Sequence, residues 1–445
     1  MNTSIKHTAI GALLLCTGFA AMHRVTAEER RPALTVEHRA VGAFDALELA
    51  GPFRVIVSEG APRLDITGEP KQLAEIETEM RGSTLIVRQR SRSGIHFSFG
   101  KDNRPEVVVR IAASNLRSLN NRGSGDVELD AVKGERFALS AQGPGDIRAR
   151  GSVRLLDVTG TGSGDLDLRN LSAGTVALTL SGPGDARLGA VASELTARVS
   201  GSGDLEVADL RTTRALAQLS GPGGVRLRGS ARDLRLEVTG SGDFDGCELQ
   251  VETLNSRQQG PGNACVAGNI RQFEAEVDGS GDLDARGLAA ARATLRMRGP
   301  GNATLSGNVE ELRVDANGSG ELEAERLSVR KAVIDSSGPG DVALAKVTDS
   351  LEASMHGSGD LSAAIDGKRV LLKMRGPGNV QLEGQAERLD AELIGSGSLE
   401  ARRLTVRQSD IQVRGPGSAR VNLVRKDSGR SEVVAVERSG RLLVE

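Results

Sequence analysis

A Gly-Ser-Gly triplet begins at Gly123, Gly162, Gly201, Gly240, Gly279, Gly318, Gly357 and Gly395. A Gly-Pro-Gly triplet begins at Gly143, Gly182, Gly221, Gly260, Gly299, Gly338, Gly376 and Gly415. The two series interleave, so the chain repeats every 19 or 20 residues with two flavours of one turn. A fixed short period of this kind specifies a solenoid, in which each unit buries its apolar face only against its neighbours. One residue is missing near 365–368, in a corner, where length changes are tolerated.

Within a unit, Leu166 and Leu168 alternate with Asp165 and Asp167, and Val176, Leu178 and Leu180 alternate with small or polar residues. Period two is the signature of a strand with one buried face. A polar corner at 170–174 lies between, so each coil is expected to hold two short strands and two turns.

Superposing the units tests this expectation. The first residue after each turn is Val127, Ile147, Leu166, Ala186, Leu205, Val225, Phe244, Ala264, Leu283, Ala303, Leu322, Val342, Leu361, Val380, Leu399 or Ala419, an unbroken apolar column. Two residues later the column is again apolar, except at Gly246. The outward column between them opens Glu128, Arg148, Asp167, Arg187, Glu206, Arg226, Asp245, alternating in sign at each step. Opposite charges side by side on adjacent strands are mildly stabilising. A coil of 39 residues would instead stack acid on acid, so the pattern selects the shorter coil. The fold expected is all-β: a parallel β-helix of two sheets, with about 16 regular coils at about 4.8 Å each, making a rod near 77 Å long.

The domain plan follows the period. Residues 1–27 read as a signal peptide, with Lys6 and His7 ahead of an apolar run too short to span a bilayer and small residues before Glu28. Residues 33–122 read as irregular starting coils of the same helix, 123–426 as the regular repeat, and 427–445 as a charged C-terminal cap of the kind solenoids need. The C-terminal Leu442-Leu443-Val444-Glu445 offers neither a barrel strand nor an aromatic terminus, so no anchor is expected there. No later segment is apolar enough for a transmembrane helix.

Several features carry candidate chemistry. Asp126, Asp146, Asp165, Asp185 and Asp204 each follow a glycine triplet, and Gly224 interrupts the column. Such acids suit Asx-type bonds to backbone N–H groups of their own or the neighbouring turn, and alternatively a weak cation ladder. Arg88, Arg90, Arg92, Phe97, Phe99 and Lys101 suggest a protruding loop, read either as solvated or as a contact arm. Cys247 and Cys265 lie near an irregular unit with Ser256 and Gln258 at inward positions. Two positions of offset on adjacent coils puts these cysteines about 8 Å apart, which argues against a disulfide, although an exported location permits one.

Other chemistry has little support. With no Trp, no Tyr and eight Phe, platforms for stacking sugars or bases are nearly absent. A net charge of -2 gives no reason to expect nucleic acid. The histidines form no metal or triad pattern, and no catalytic residue, metal or cofactor is expected. Carboxylates two coils apart, such as Glu206 and Asp245, would suit an inverting glycosidase by distance, but that spacing recurs all along the rod. The fifty-six glycines suit tight turns, where positive φ at the triplets is expected.

The turns, their period and the lead-in residues Phe44-Asp45-Ala46-Leu47-Glu48-Leu49, Gly51-Pro52-Phe53-Arg54-Val55-Ile56-Val57 and Leu116 together resemble the head GIN domain family of autotransporter adhesin heads. The resemblance covers nearly everything from about residue 35 onward. It implies an exported β-helix with a role in adhesion and no recognised catalytic residues. The function expected is therefore a non-enzymatic binding or scaffold rod of the bacterial envelope, periplasmic or at the cell surface, with an envelope protein or surface glycan as partner. A self-assembling filament, and thus a homo-oligomer, and a polysaccharide-active enzyme remain the alternatives.

Overall fold

The computed structural model describes residues 34–90, 105–424, 431–437 and 439–444. Eight short strands come first: β1 (Thr35–Arg39), β2 (Ala46–Ala50), β3 (Arg54–Glu59), β4 (Arg63–Gly68), β5 (Ile76–Arg81), β6 (Thr84–Gln89), β7 (Val108–Ala113) and β8 (Ser118–Asn121). A single-turn helix, α1 (Pro70–Leu73), falls between β4 and β5. Sixteen stacked parallel strands follow, from β9 (Val127–Ala141) to β24 (Ser418–Val424). Two more strands, β25 (Ser431–Glu437) and β26 (Arg441–Val444), end the described chain.

Each coil is one long bent strand and one tight turn, rather than two strands and two turns. Strand lengths alternate between 15 and 14 residues from β9 to β20 (Val342–Met355). The second corner has no turn of its own. The chain bends there while staying paired, and the odd residue of the longer coil appears as a bulge, as between Leu129 and Val132 opposite Ala149 and Gly151. The missing residue near 365–368 leaves three neighbouring coils of equal length, and between the second and third the pairing runs across the corner without a break from Leu361↔Val380 to Arg375↔Ile394.

The first apolar column stacks residue on residue along the whole rod, and every member is at most 3% exposed. Burying a Leu or Val side chain contributes roughly 1.5–3 kcal/mol before conformational entropy is subtracted. Gly246, the gap in the second column, is filled from its own strand: a Cβ there would lie 2.7 Å from the Phe244 ring.

The triplet glycines serve a different purpose from the one expected. Positive φ occurs at Gly376, Gly395 and Gly415 near the C-terminal end, but not at the triplets before them. What demands glycine is close approach. A Cβ on Gly203 would overlap the carbonyl oxygen of Gly184 in the turn below, and the same holds at turn after turn. Positive φ is instead used at several bends, in short coils as at Gly229 (116°) and Gly307 (128°) and in long ones as at Gly134 (131°) and Gly287 (76°).

The N-terminal segment also departs from expectation, because it does not stack as successive coils. β3 pairs directly with β9, and the turn Gly51-Pro52-Phe53 lies against the first glycine turn, with Ser124 N donating to Gly51 O at 3.1 Å, while β2 pairs with β8. The chain then runs outward through β4 to β7 and returns as β8, between β2 and β9. The outer pairs β1·β4, β4·β7 and β5·β6 are antiparallel. Arg39 closes this end, donating to the Ile76 carbonyl at 2.7 Å and the Leu73 carbonyl at 3.0 Å while paired with Glu37 at 3.1 Å. An inward-pointing charge on an edge strand is a known guard against edge-to-edge pairing. At the other end β25 runs antiparallel to β24, and β26 antiparallel to β23 (Ser398–Arg414).

Gly203→Ala is expected to destabilise the rod by about 1–3 kcal/mol or more, since backbone atoms on the coil below cannot yield. Ser202→Ala, one residue away at the exposed tip, is expected to be neutral within about 0.5 kcal/mol. Paired chemical denaturation curves check both.

Candidate functional site

The turn acids form a ladder between coils. The residue after each triplet turns its N–H toward the same position one coil earlier, where no backbone carbonyl is available. The Oδ1 of Asp126 accepts from the Asp146 N–H at 3.1 Å. Asp146, Asp165 and Asp185 then accept from Asp165, Asp185 and Asp204, each at 3.0 Å. The Oδ1 of Asp204 accepts from Gly224 N–H at 2.7 Å. Gly224 has no side chain to continue, and the ladder restarts at Asp243, which accepts from Asn263, with Asn263 accepting from Asp282. Asn serves as well as Asp because either offers the oxygen the N–H requires. The acceptor relation therefore runs to the neighbouring coil and not within the turn. Among the described residues no group of three or more His, Cys, Asp or Glu side chains is arranged to hold a metal ion.

The charged column takes the register that its alternating signs specify: Glu128↔Arg148, Arg148↔Asp167, Asp167↔Arg187, Arg187↔Glu206, Glu206↔Arg226 and Arg226↔Asp245. The closest ion pairs, however, run mostly off the column. Arg226 meets Asp245 within it at 2.7 Å. Arg187 reaches the turn acids Asp165 and Asp185 at 3.5 and 3.3 Å, and Arg148 reaches Asp146 at 4.0 Å. Glu206 is taken by Arg228 at 2.5 Å, Asp167 by Arg169 at 2.7 Å and Glu128 by Arg54 at 2.6 Å. These arginines stand two places from a column residue in sequence or in register, a spacing visible in the chain. The Arg169 guanidinium hydrogen-bonded to Asp167 holds that carboxyl down at about 2. Glu206 and Asp245, the carboxylates at a glycosidase-like separation, are thus each engaged by an arginine.

Between the turn ridge and this column lies an open groove of about 410 Å³ centred on Gly224, lined by Asp204, Glu206, Pro222, Ser241, Asp243 and the arginines Arg187 and Arg226, among others. The missing ladder side chain opens it.

The expected arm is only partly visible. Arg88 lies within β6 and Arg90 just beyond it, and both clasp Glu77 on β5, at 2.9 and 2.7 Å. That pairing holds the Glu77 carboxyl below its usual range, Arg90 contributing most. Arg92, Phe97, Phe99 and Lys101 lie outside the described residues.

The cysteine expectation is corrected. Cys247 and Cys265 form a disulfide with a Cα–Cα distance of 5.2 Å. The offset estimate assumed straight strands. Pairing passes from Gly246↔Val266 directly to Gln250↔Ala267, so residues 247–249 leave the ladder at the bend and Cys247 reaches Cys265, while Leu249 stays in the core.

A capped parallel β-solenoid with stacked glycine turns and charged outward positions defines the class. The model of the family described as "Putative auto-transporter adhesin, head GIN domain" matches residues 43–227, 191–269, 266–361 and 346–431. The chain belongs to that family. A crystal structure of a putative adhesin from Bacteroides fragilis is 14% identical, covering 65% of this chain and 96% of its own, with a TM-score of 0.24. A putative adhesin from Parabacteroides distasonis is 13% identical, covering 68% and 98%, with a TM-score of 0.30. A putative lipid binding protein from the same organism is 15% identical, covering 79% and 97%, with a TM-score of 0.24. No curated protein matches the chain.

Two outcomes follow from the ladder and the column. Gly224→Asn supplies the missing oxygen, but its Cβ would lie 3.3 Å from the Asp243 carbonyl oxygen, a tight contact with backbone, so thermal melting is expected to rise by the equivalent of no more than about 1 kcal/mol. Asp167→Asn is expected to lower stability at pH 7 by under about 1 kcal/mol, since the pair is solvent-facing. Its folded carboxyl titrates below its unfolded one, so the difference is present above pH 4 and fades as pH falls through 2. Melting curves of both variants against the native chain across that range measure it.

Proposed function

We propose that the chain is an exported, non-enzymatic, adhesin-like rod of the bacterial envelope that holds a surface glycan or envelope protein by many weak, equivalent contacts along its faces. Membership of an adhesin-head family supports the general role. The observation that carries the finer reading is the register. Any outward position recurs at every coil, about 4.8 Å apart, for the length of the rod. Such a surface suits a repetitive partner, because contacts too weak to hold singly become effective when linked. The closed ends favour a discrete rod over a filament: Arg39 and antiparallel strands cover one, and β25 and β26 the other. Arginines on Glu206 and Asp245 support binding over glycan cleavage.

The test removes whole pairs of coils. Deleting 205–243 or 283–321 excises one complete 39-residue repeat and rejoins equivalent positions. Each deletion is expected to weaken co-sedimentation of the rod with isolated envelopes by a similar factor, and both together by roughly the product. Loss of all binding with one deletion and none with the other would show a single discrete site and end this reading.

A further inference from the structure

We infer that the Cys247–Cys265 disulfide is a redox-controlled joint, and that reduction opens the rod between β15 (Phe244–Gln258) and β16 (Ala264–Val277) while the coils on either side stay closed. Three separate observations meet at this level of the stack.

The first is in the core. Among the described residues, β15 is the one strand with two polar side chains buried inside, Ser256 and Gln258, at 2% and 0% exposure. They stand where the neighbouring coils put Leu236 and Ala275, and Val238 and Val277. Gln258 Nε2 donates to the Asp282 carbonyl at 3.1 Å, but its Oε1 and the Ser256 hydroxyl have no partner. A buried polar group left unpaired weakens the packing that contains it.

The second is in the charged column. Arg226 bonds Asp245 on one side, and alternation would place another cation at 265. Cys265 stands there instead, between Asp245 and Asp284. The covalent bond therefore stands where the strict alternation of charge ends, since Thr304 and Ala343 occupy the later positions that alternation would give to cations.

The third is the ladder of backbone pairs. It is interrupted twice between β15 and β16, at 246/250 and at 251/253, as it also is at four other levels, and among the described residues only here does the interruption coincide with two polar side chains in the core. Because each coil of a solenoid holds only its neighbours, a weak interface is not rescued by packing further away.

Both cysteines are half-exposed on the outer surface, so an external dithiol can reach them. One thiolate of the dithiol attacks a sulfur of the bond, forming a mixed disulfide and releasing the other cysteine as a thiolate. The second thiol of the reagent displaces the first cysteine. Two electrons and two protons end on Cys247 and Cys265, and the reagent leaves as its own disulfide.

Hydrogen exchange of the whole chain, read by mass spectrometry with and without dithiothreitol, tests this. Reduction is expected to speed exchange at least tenfold across 244–277 and to leave 127–219 and 303–355 unchanged. Cys247→Ser with Cys265→Ser should show the same pattern with no reductant. Adding Ser256→Ala and Gln258→Met to the native cysteines should suppress the effect of dithiothreitol. Unchanged exchange at 244–277 after reduction, a uniform rise along the rod, or full opening in the Ser256→Ala, Gln258→Met chain would each overturn the proposal.

Discussion

Everything in this molecule depends on parallel backbones lying flush at one short interval. When one winding settles on the last, its strand N–H groups meet carbonyls directly below and its apolar side chains cover those beneath. At the turn this arrangement leaves an N–H facing a level where no carbonyl stands, and at most turns the Asp or Asn after the glycine triplet one coil earlier supplies the oxygen. The acids that invite comparison with a metal ladder thus complete the backbone pairing that keeps the coils in step.

The same closeness explains the glycines. At the turns the backbones are so near that a methyl group has nowhere to go, and the pressure for glycine comes from the coil below and not from local dihedral angles. Where the backbone does adopt positive φ, it does so mostly at the far bend, in short and long coils alike, and at the last three glycine turns. The 19/20 alternation and the bulge at the bend are one phenomenon seen in sequence and in space.

A structure held together by neighbour contacts is only as continuous as its weakest layer. Most layers carry Leu, Val or Ala in the core, and the layers from Glu128 to Asp245 add alternating charges outside. The layer at β15 has Ser256 and Gln258 inside and a cysteine where a cation would stand, and it is the layer that is covalently tied. The ends meet a related demand differently, with antiparallel strands and with Arg39 turned into the core mouth, because an uncovered last coil would offer a template to any other strand.

The repeat by itself determined the solenoid, the coil length, the inward columns and the register Glu128↔Arg148↔Asp167, since a period of 19 or 20 with alternating sign admits one stacking. It also marked Gly224, Ser256, Gln258 and the cysteines as departures. The tertiary structure alone decided what those departures do. Whether Cys247 reaches Cys265 depends on a bulge at the bend, which period-two reasoning treats as straight strand. Which acid Arg187 or Arg228 takes depends on side chains from three successive coils competing for the same space. The outward path and return of the N-terminal strands is set by the need to cover an edge, a long-range constraint that leaves no periodic trace in residues 34–122.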